Sequence, residues 1–336
     1  MILIRADANE TIGTGHIMRC LSIARAFAEK GEEVLFVTAD HRADGLIDGF
    51  RTECLDTLWT EMAAEIDKMI NVIQRNNPDL LLVDSYYVTK KYFNALSGLT
   101  SIAYIDDLNQ AQWNVDCLIN YNVFGTVFDY SWYAREGKKL LLGPRYAPLR
   151  KEFAGIKQHF TRNAIHDVFV SAGGADPEGI TERIIENICP NWPDVQFHFI
   201  VGLLNPRLQE IKKLESGNVV LHINEQHMAD LMQKCDIAIS AAGSTLYELC
   251  ACGTPTITYT LADNQLEAAK EFQSQRIMLS AGDCRGDGQF MNRLTECFRY
   301  MSENLETREE LSLNMQRIVD GLGAKRVINE LLSMSR

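Results

Sequence analysis

The chain has 336 residues, about twice the usual domain length, so two domains, each able to bury its own core, are expected. Hydrophobic residues make up 46% and charged residues 23%, which argues against extended disorder. With 33 Lys plus Arg against 45 Asp plus Glu, the net charge of −12 repels nucleic acid and anionic membranes as general partners. A small anionic ligand, held by a few local N–H groups, is not excluded by that charge.

The run Met1 to Asp7 reaches charged residues too early for a secretory signal, and no apolar run approaches the roughly 18 residues that span a bilayer. Nine cysteines form an odd, scattered set without Cys-x-x-Cys spacing, mostly in apolar stretches. That usage suits small buried thiols in a reducing compartment. A cytoplasmic monomer is expected.

Residues 2–5 predict a first strand. A Gly-rich turn follows, and then Ile17, Cys20, Leu21, Ala24, Phe27 and Ala28 recur at helical spacing until Gly31. Apolar strands follow at 34–37, 80–83, 102–105 and 117–119. After the Pro- and Gly-containing stretch 143–148, strands are expected at 168–171, 197–201, 219–222, 237–240 and 256–259. Helices are expected at about 178–188, 205–214, 227–234, 244–252 and 264–274. Continuous apolar strands alternating with amphipathic helices indicate parallel sheets covered on both faces. The expected organisation is therefore two doubly wound α/β domains, residues 1–147 and 148–320, with a closing helix at 321–336. Such sheets bind ligands at the carboxyl ends of their strands, so two facing domains would form a cleft. The charged segment 283–320 finds no place in this pattern.

Ile12-Gly13-Thr14-Gly15-His16 lies between the first strand and first helix. Two glycines let backbone approach a ligand, and the helix start offers N–H groups to an anion. Met18 occupies the third glycine position of a dinucleotide fingerprint and speaks against NAD. The helix dipole disfavours a protonated imidazole, so His16 is expected to be largely neutral near pH 7, exposed by its turn and able to act as a base. The alternative is a histidine that merely caps its own helix.

In the second half, Ser240 to Glu248 runs from a strand through small residues into a helix. N–H groups of Gly243, Ser244 and Thr245, with both hydroxyls, can cradle a diphosphate. Glu248 can accept from ribose hydroxyls, or serve only as an acid at a helix start. Asp263-Asn264-Gln265 suits sugar hydroxyls, with Asp263 as a simple N-cap the alternative. Arg5, Asp7, Asp84 to Tyr87, Asp106-Asp107 and Gly173-Gly174-x-Asp176 also fall after strands, as site residues or turn chemistry. Asp106-Asp107 is the nearest thing to a metal site, without a histidine or third acid nearby. His41, His159, His166, His198, His222 and His227 show no ligand spacing, and no Gly-x-Ser-x-Gly elbow is present. No metal and no cofactor are expected.

The motifs together are Arg5-x-Asp7, Ile12-Gly13-x-Gly15-His16-x-x-Arg19-Cys20, Asp84-x-Tyr86 and Asp106-Asp107. They continue with Gly143-x-x-Tyr146-x-x-Leu149-Arg150, Gly173-Gly174-x-Asp176, Ser244-x-x-x-Glu248, Asn264-Gln265 and Asp320-Gly321-x-Gly323-Ala324. In order and over nearly the whole chain, they resemble the UDP-sugar hydrolases of pseudaminic-acid biosynthesis and their spore-coat polysaccharide relatives. Those hydrolases act on UDP-2,4-diacetamido-2,4,6-trideoxy-β-L-altropyranose. The segment from Gly243 to Glu248 is shared more broadly with the peptidoglycan N-acetylglucosaminyltransferase and its two-domain relatives.

The resemblance implies an α/β architecture of the GT-B type, two Rossmann-like domains facing across a cleft. It makes His16 the catalytic base, puts Tyr86 near the reacting sugar and gives Asn264 to substrate binding. Arg5, Asp7, Gly13, Gly15, Asp107 and Gln265 join the expected substrate site. Gly173, Gly174, Ile223 (near the uracil), Gly243, Ser244, Thr245 and Glu248 form the expected UDP site. The implied reaction is hydrolysis of the anomeric C–O bond to UDP and free sugar, with inversion. Two other readings remain: a GT-B glycosyltransferase using a UDP-aminosugar donor, and a non-catalytic nucleotide-sugar binder.

Overall fold

Runs of isoleucine, leucine, valine and phenylalanine form the centres of two parallel sheets, because strands buried on both faces have no polar side to present. The computed structural model describes residues 1–9, 11–174, 176–202 and 205–334. The chain divides into one unit of Met1–Lys151 with Leu322–Arg336, and a second of Glu152–Gly321.

The first unit has seven parallel strands: β1 (Ile2–Ala6), β2 (Val34–Thr38), β3 (Arg51–Cys54), β4 (Leu80–Asp84), β5 (Ser101–Ile105), β6 (Cys117–Asn120) and β7 (Lys139–Leu142). Their order is β3-β2-β1-β4-β5-β6-β7. Central β1 pairs Ile4 with Phe36 on one side and with Leu82 on the other. The strand order reverses between β1 and β4, the place where open α/β sheets open a crevice beyond their carboxyl ends. β3, with the sequence Arg-Thr-Glu-Cys, is an edge strand and carries no apolar signal. The helix Gly15–Glu29 ends at the Lys30 cap, with Gly31 left-handed at φ +84° as its spacing suggested. The closing helix Gly323–Leu332 belongs to this unit and packs on Gly15–Glu29. A Cβ on Gly323 would run into the backbone of Ala147, so only glycine lets that helix start where it does.

The second unit has six strands: β8 (Asp167–Ser171), β9 (Gln196–Val201), β10 (Val219–Ile223), β11 (Ile237–Ala241), β12 (Thr256–Thr260) and β13 (Leu279–Asp283). Their order is β10-β9-β8-β11-β12-β13, all parallel, with the reversal between β8 and β11. Helices lie at Ile180–Asn187, Leu208–Ile211, Met228–Lys234, Thr245–Cys252 and Leu266–Ser274, within the expected ranges. The segment that had no place holds the helices Phe290–Glu303 and Leu305–Ile318. The first buries Phe290, Leu294, Phe298 and Met301 against the sheet. The second buries Arg308, whose guanidinium donates to the carbonyls of Met301, Ser302, Arg162 and Asn163 at 2.6–2.9 Å. An arginine held through its two terminal nitrogens by backbone carbonyls reads as surface charge in a sequence. The nine cysteines are free, and all but Cys54 and Cys297 are buried. No helix among the described residues is long and apolar enough to cross a membrane.

Candidate active site

Where β1 ends, the chain turns through Asn9, whose Oδ1 accepts from the N–H groups of Thr11 and Ile12 at 2.9 and 3.0 Å. Gly13, left-handed at φ +71°, donates back to the Asn9 carbonyl at 2.8 Å. This compact turn delivers His16 to the second position of its helix, and Thr14 rather than His16 occupies the cap. Gly13 and Gly15 are exposed, with no atom crowding the place a Cβ would take.

His16 is buried, with 5% of its surface accessible, which corrects the expectation that the glycine turn exposes it. The reason is β4: Asp84 Oδ1 stands 2.6 Å from His16 Nδ1 and draws the ring inward. Arg19, one helical turn after His16, donates Nε to Asp84 Oδ2 and an Nη2–H to Asp84 Oδ1, both at 2.5 Å. The Arg19 Nη2 also stands 3.2 Å from His16 Nδ1, but it already donates to the carboxylate. A proton on Nδ1, donated to Asp84, is the tautomer that fits this geometry. Nε2 is then an acceptor, and no described residue bonds to it. Burial alone would raise the Asp84 carboxyl, yet Arg19 and His16 hold it well below the usual carboxylate range.

Tyr86 stands edge-on to the imidazole, ring centroids 4.6 Å apart, and donates to Asp107 Oδ2 at 3.0 Å. Burial first, and then the Asp107 charge, push its phenol far above the ordinary value, so it keeps its proton. Asp107 also accepts from Arg19 Nη1 at 2.9 Å and from Asn122 Nδ2 at 2.7 Å. With three donors on it, Asp107 positions Tyr86 and Arg19.

Arg5 lies deeper than the sequence suggested. It is wholly buried; Nε and Nη2 grip Glu65 at 2.8 Å each, and Nη1 donates to Asp7 Oδ2 at 2.6 Å. No surface remains for a ligand, so Arg5 acts by holding Asp7. Asp7 also accepts from the Ala39 N–H at 2.7 Å, and it forms one wall of a narrow pocket with Ile12, His16, Trp59, Asp84 and Tyr86. The pocket has room for little more than one water molecule. Asp106, the other half of the acidic pair, turns inward and accepts from the N–H groups of Leu108 and Asn109.

The second unit places its expected residues along the carboxyl edge of its own sheet. Gly173 and Gly174 follow β8, Ile223 ends β10, Gly243 to Thr245 follow β11, and Asn264 and Gln265 follow β12. Gly202 lies so close to the Gly174 carbonyl that a Cβ would stand 2.7 Å from it. The helix Thr245–Cys252 starts at Ser244, which makes no side-chain cap. The N–H groups of Ser244 and Thr245 bond no described residue. Gly243, exposed, donates its N–H to the Ala241 carbonyl at 2.8 Å. Glu248 sits half-buried in the first helical turn. Asp263 is no N-cap; it pairs with Arg285 at 2.7 Å. Gln265 holds the Leu261 N–H through Oε1, and Asn264 is exposed. Asp176 caps the helix Ile180–Asn187 through the N–H groups of Ile180 and Thr181, the turn reading of that residue.

Asp84 and Arg19 were expected near the site without a role, and Glu65 and Trp59 were not expected there. Asp84 had a signal, an acid closing an apolar strand, and Arg19 had one in its i+3 spacing from His16. Glu65 and Trp59 had none.

Two reversing parallel sheets of this kind define the fold class, a GT-B type. The crystal structure of MurG from Acinetobacter baumannii aligns over 99% of both chains with a TM-score of 0.72 at 13% identity. A spinosyn rhamnosyltransferase complexed with thymidine diphosphate aligns over 98% of this chain at a TM-score of 0.64. No family model matches the sequence. The UDP-2,4-diacetamido-2,4,6-trideoxy-β-L-altropyranose hydrolase of Campylobacter jejuni is 24% identical over 74% of this chain and 86% of its own. The spore coat polysaccharide biosynthesis protein SpsG of Bacillus subtilis is 22% identical over 96% and 95%. The chain spans about half the length of two further relatives, an uncharacterised protein of Methanocaldococcus jannaschii (56%) and a bifunctional cytidylyltransferase and hydrolase of Helicobacter pylori (47%).

Proposed function

We propose that the protein is an enzyme that hydrolyses a UDP-linked sugar to UDP and free sugar with inversion at the anomeric carbon. The sugar class is that of the named hydrolase relatives, a 2,4-diacetamido-2,4,6-trideoxyhexose. The observation that carries this reading is the His16–Asp84 contact at 2.6 Å, which fixes Nδ1 and leaves Nε2 to accept a proton in a pocket the size of one water.

In this reading Nε2 takes a proton from water as the water oxygen bonds the anomeric carbon. The C–O bond to the diphosphate breaks, and its electron pair leaves with UDP. The imidazolium that forms is stabilised by Asp84, itself held ionised by Arg19. The N–H groups of Ser244 and Thr245 donate to the diphosphate oxygens, with Glu248 on the ribose and Asn264 on the sugar. Tyr86, protonated, lines the reacting end beside His16.

The test is incubation with UDP-2,4-diacetamido-2,4,6-trideoxy-β-L-altropyranose and other UDP-aminosugars without any acceptor, following UDP and product anomer by NMR. UDP release with inversion is expected, and His16→Asn should slow it by about 10²–10⁴-fold. UDP release only when an acceptor is added would replace this reading with sugar transfer. Binding without turnover would replace it with a nucleotide-sugar binder.

A further inference from the structure

A second cluster of chemically active side chains lies at the other side of the first sheet, where β2 and β3 end. His41 follows β2, and Cys54 and Asp56 close β3. Cys54 Sγ stands 3.4 Å from Asp56 Oδ1, His41 Nε2 stands 3.9 Å from that same oxygen, and all three ligand atoms lie within 4.8 Å of one another. A tetrahedral cation with bonds of about 2.0–2.3 Å needs ligand atoms about 3.3–3.8 Å apart. Two edges of that tetrahedron are therefore nearly in place, and closing the third takes no more than about 1–1.5 Å of side-chain movement on an exposed surface.

The outer contacts match. Asp44 Oδ2 holds His41 Nδ1 at 2.8 Å, which fixes the ring and leaves Nε2 as the ligand atom. Asp56 takes a left-handed backbone conformation at φ +50°, which returns its carboxylate over Cys54 and sets its N–H 3.4 Å from the sulfur. Thiol, imidazole and carboxylate together select a borderline cation of the zinc type over magnesium or calcium.

We propose that His41 Nε2, Cys54 Sγ and the Asp56 carboxylate bind one divalent cation of the zinc class, with water as the fourth ligand. The cation clips the turn after β2 to the turn after β3. Binding releases the thiol proton, and the imidazole that coordinates is neutral. The site is separate from His16 and does not depend on the proposed hydrolysis.

Cobalt(II) is the probe, titrated into the reduced, metal-stripped protein. A thiolate-to-cobalt band in the near ultraviolet should saturate at one cobalt per chain and bleach when zinc is added. Cys54→Ser should abolish the band, and His41→Ala should weaken cobalt binding at least tenfold. Asp44→Ala should weaken it about 10–100-fold while leaving the band's shape unchanged. His41 is exposed, so its variant keeps the fold even if Cys54→Ser does not. Absence of the band, or a band of unchanged strength in either the Cys54 or the His41 variant, overturns the proposal.

Discussion

At the scale of single residues, the first unit is organised around two buried carboxylates, Asp84 and Glu65, each gripped by an arginine. An unpaired buried carboxylate is unfavourable by several kcal/mol, so Arg19 and Arg5 are needed for the fold before any chemistry is considered. Only Asp84 then reaches a histidine. Asp84→Asn keeps the shape and removes the charge that orients His16 and stabilises its protonated form. Turnover should fall by about 10²–10⁴-fold with UDP affinity unchanged, because the groups proposed for the nucleotide lie in the other unit. Turnover within a few-fold of wild type, measured alongside UDP titration calorimetry, would remove the dyad from the mechanism. His16 could be picked out of the sequence because its glycine turn is local. Asp84 is 68 residues away, and only β1–β4 pairing brings the two together.

At the scale of elements, the strands that were legible are those buried on both faces, since continuous apolar runs have no other explanation. β3, β7 and β13 were not legible: each is an edge strand or mixes polar residues and glycine, and their pairing comes from neighbours rather than from their own hydropathy. The helix at 290–303 was hidden by its charged outer face, although Phe290, Leu294 and Phe298 recur every four residues. Gly323 makes the opposite point, a single residue that fixes an element. Gly323→Ala should displace the closing helix from Ala147 and destabilise the first unit by about 1–3 kcal/mol. Urea unfolding followed by a probe in that unit checks this, and a loss below a few tenths would show that the helix start yields freely.

At the scale of the whole molecule, the two units are expected to contribute separate unfolding transitions, so stability has to be followed unit by unit. His159 gives the second unit a pH dependence of its own. Burial pushes its pKa down to about 4, and its Nε2 has no partner among the described residues. The unfolded chain therefore takes up the proton first, near the ordinary value of about 6.5. Stability contributed by the neutral ring is complete above that pH and is lost as pH falls toward 4, by up to about 3 kcal/mol. His159→Phe should flatten that loss in urea titrations between pH 7 and 4. An unchanged slope would show that the ring reaches solvent on protonation.

The sequence alone determined the repeating strand–helix order and the glycine turn that starts the helix of His16. These depend on neighbours within a few residues and on burial that hydropathy reports directly. Tertiary structure alone decided which polar residues are accessible. It buried Arg5, set Asp107 against Tyr86, Arg19 and Asn122, joined His16 to Asp84, and brought His41 to Cys54 and Asp56. Partnerships between charged side chains across strands leave no periodic trace, because a carboxylate's role depends on what the fold sets beside it.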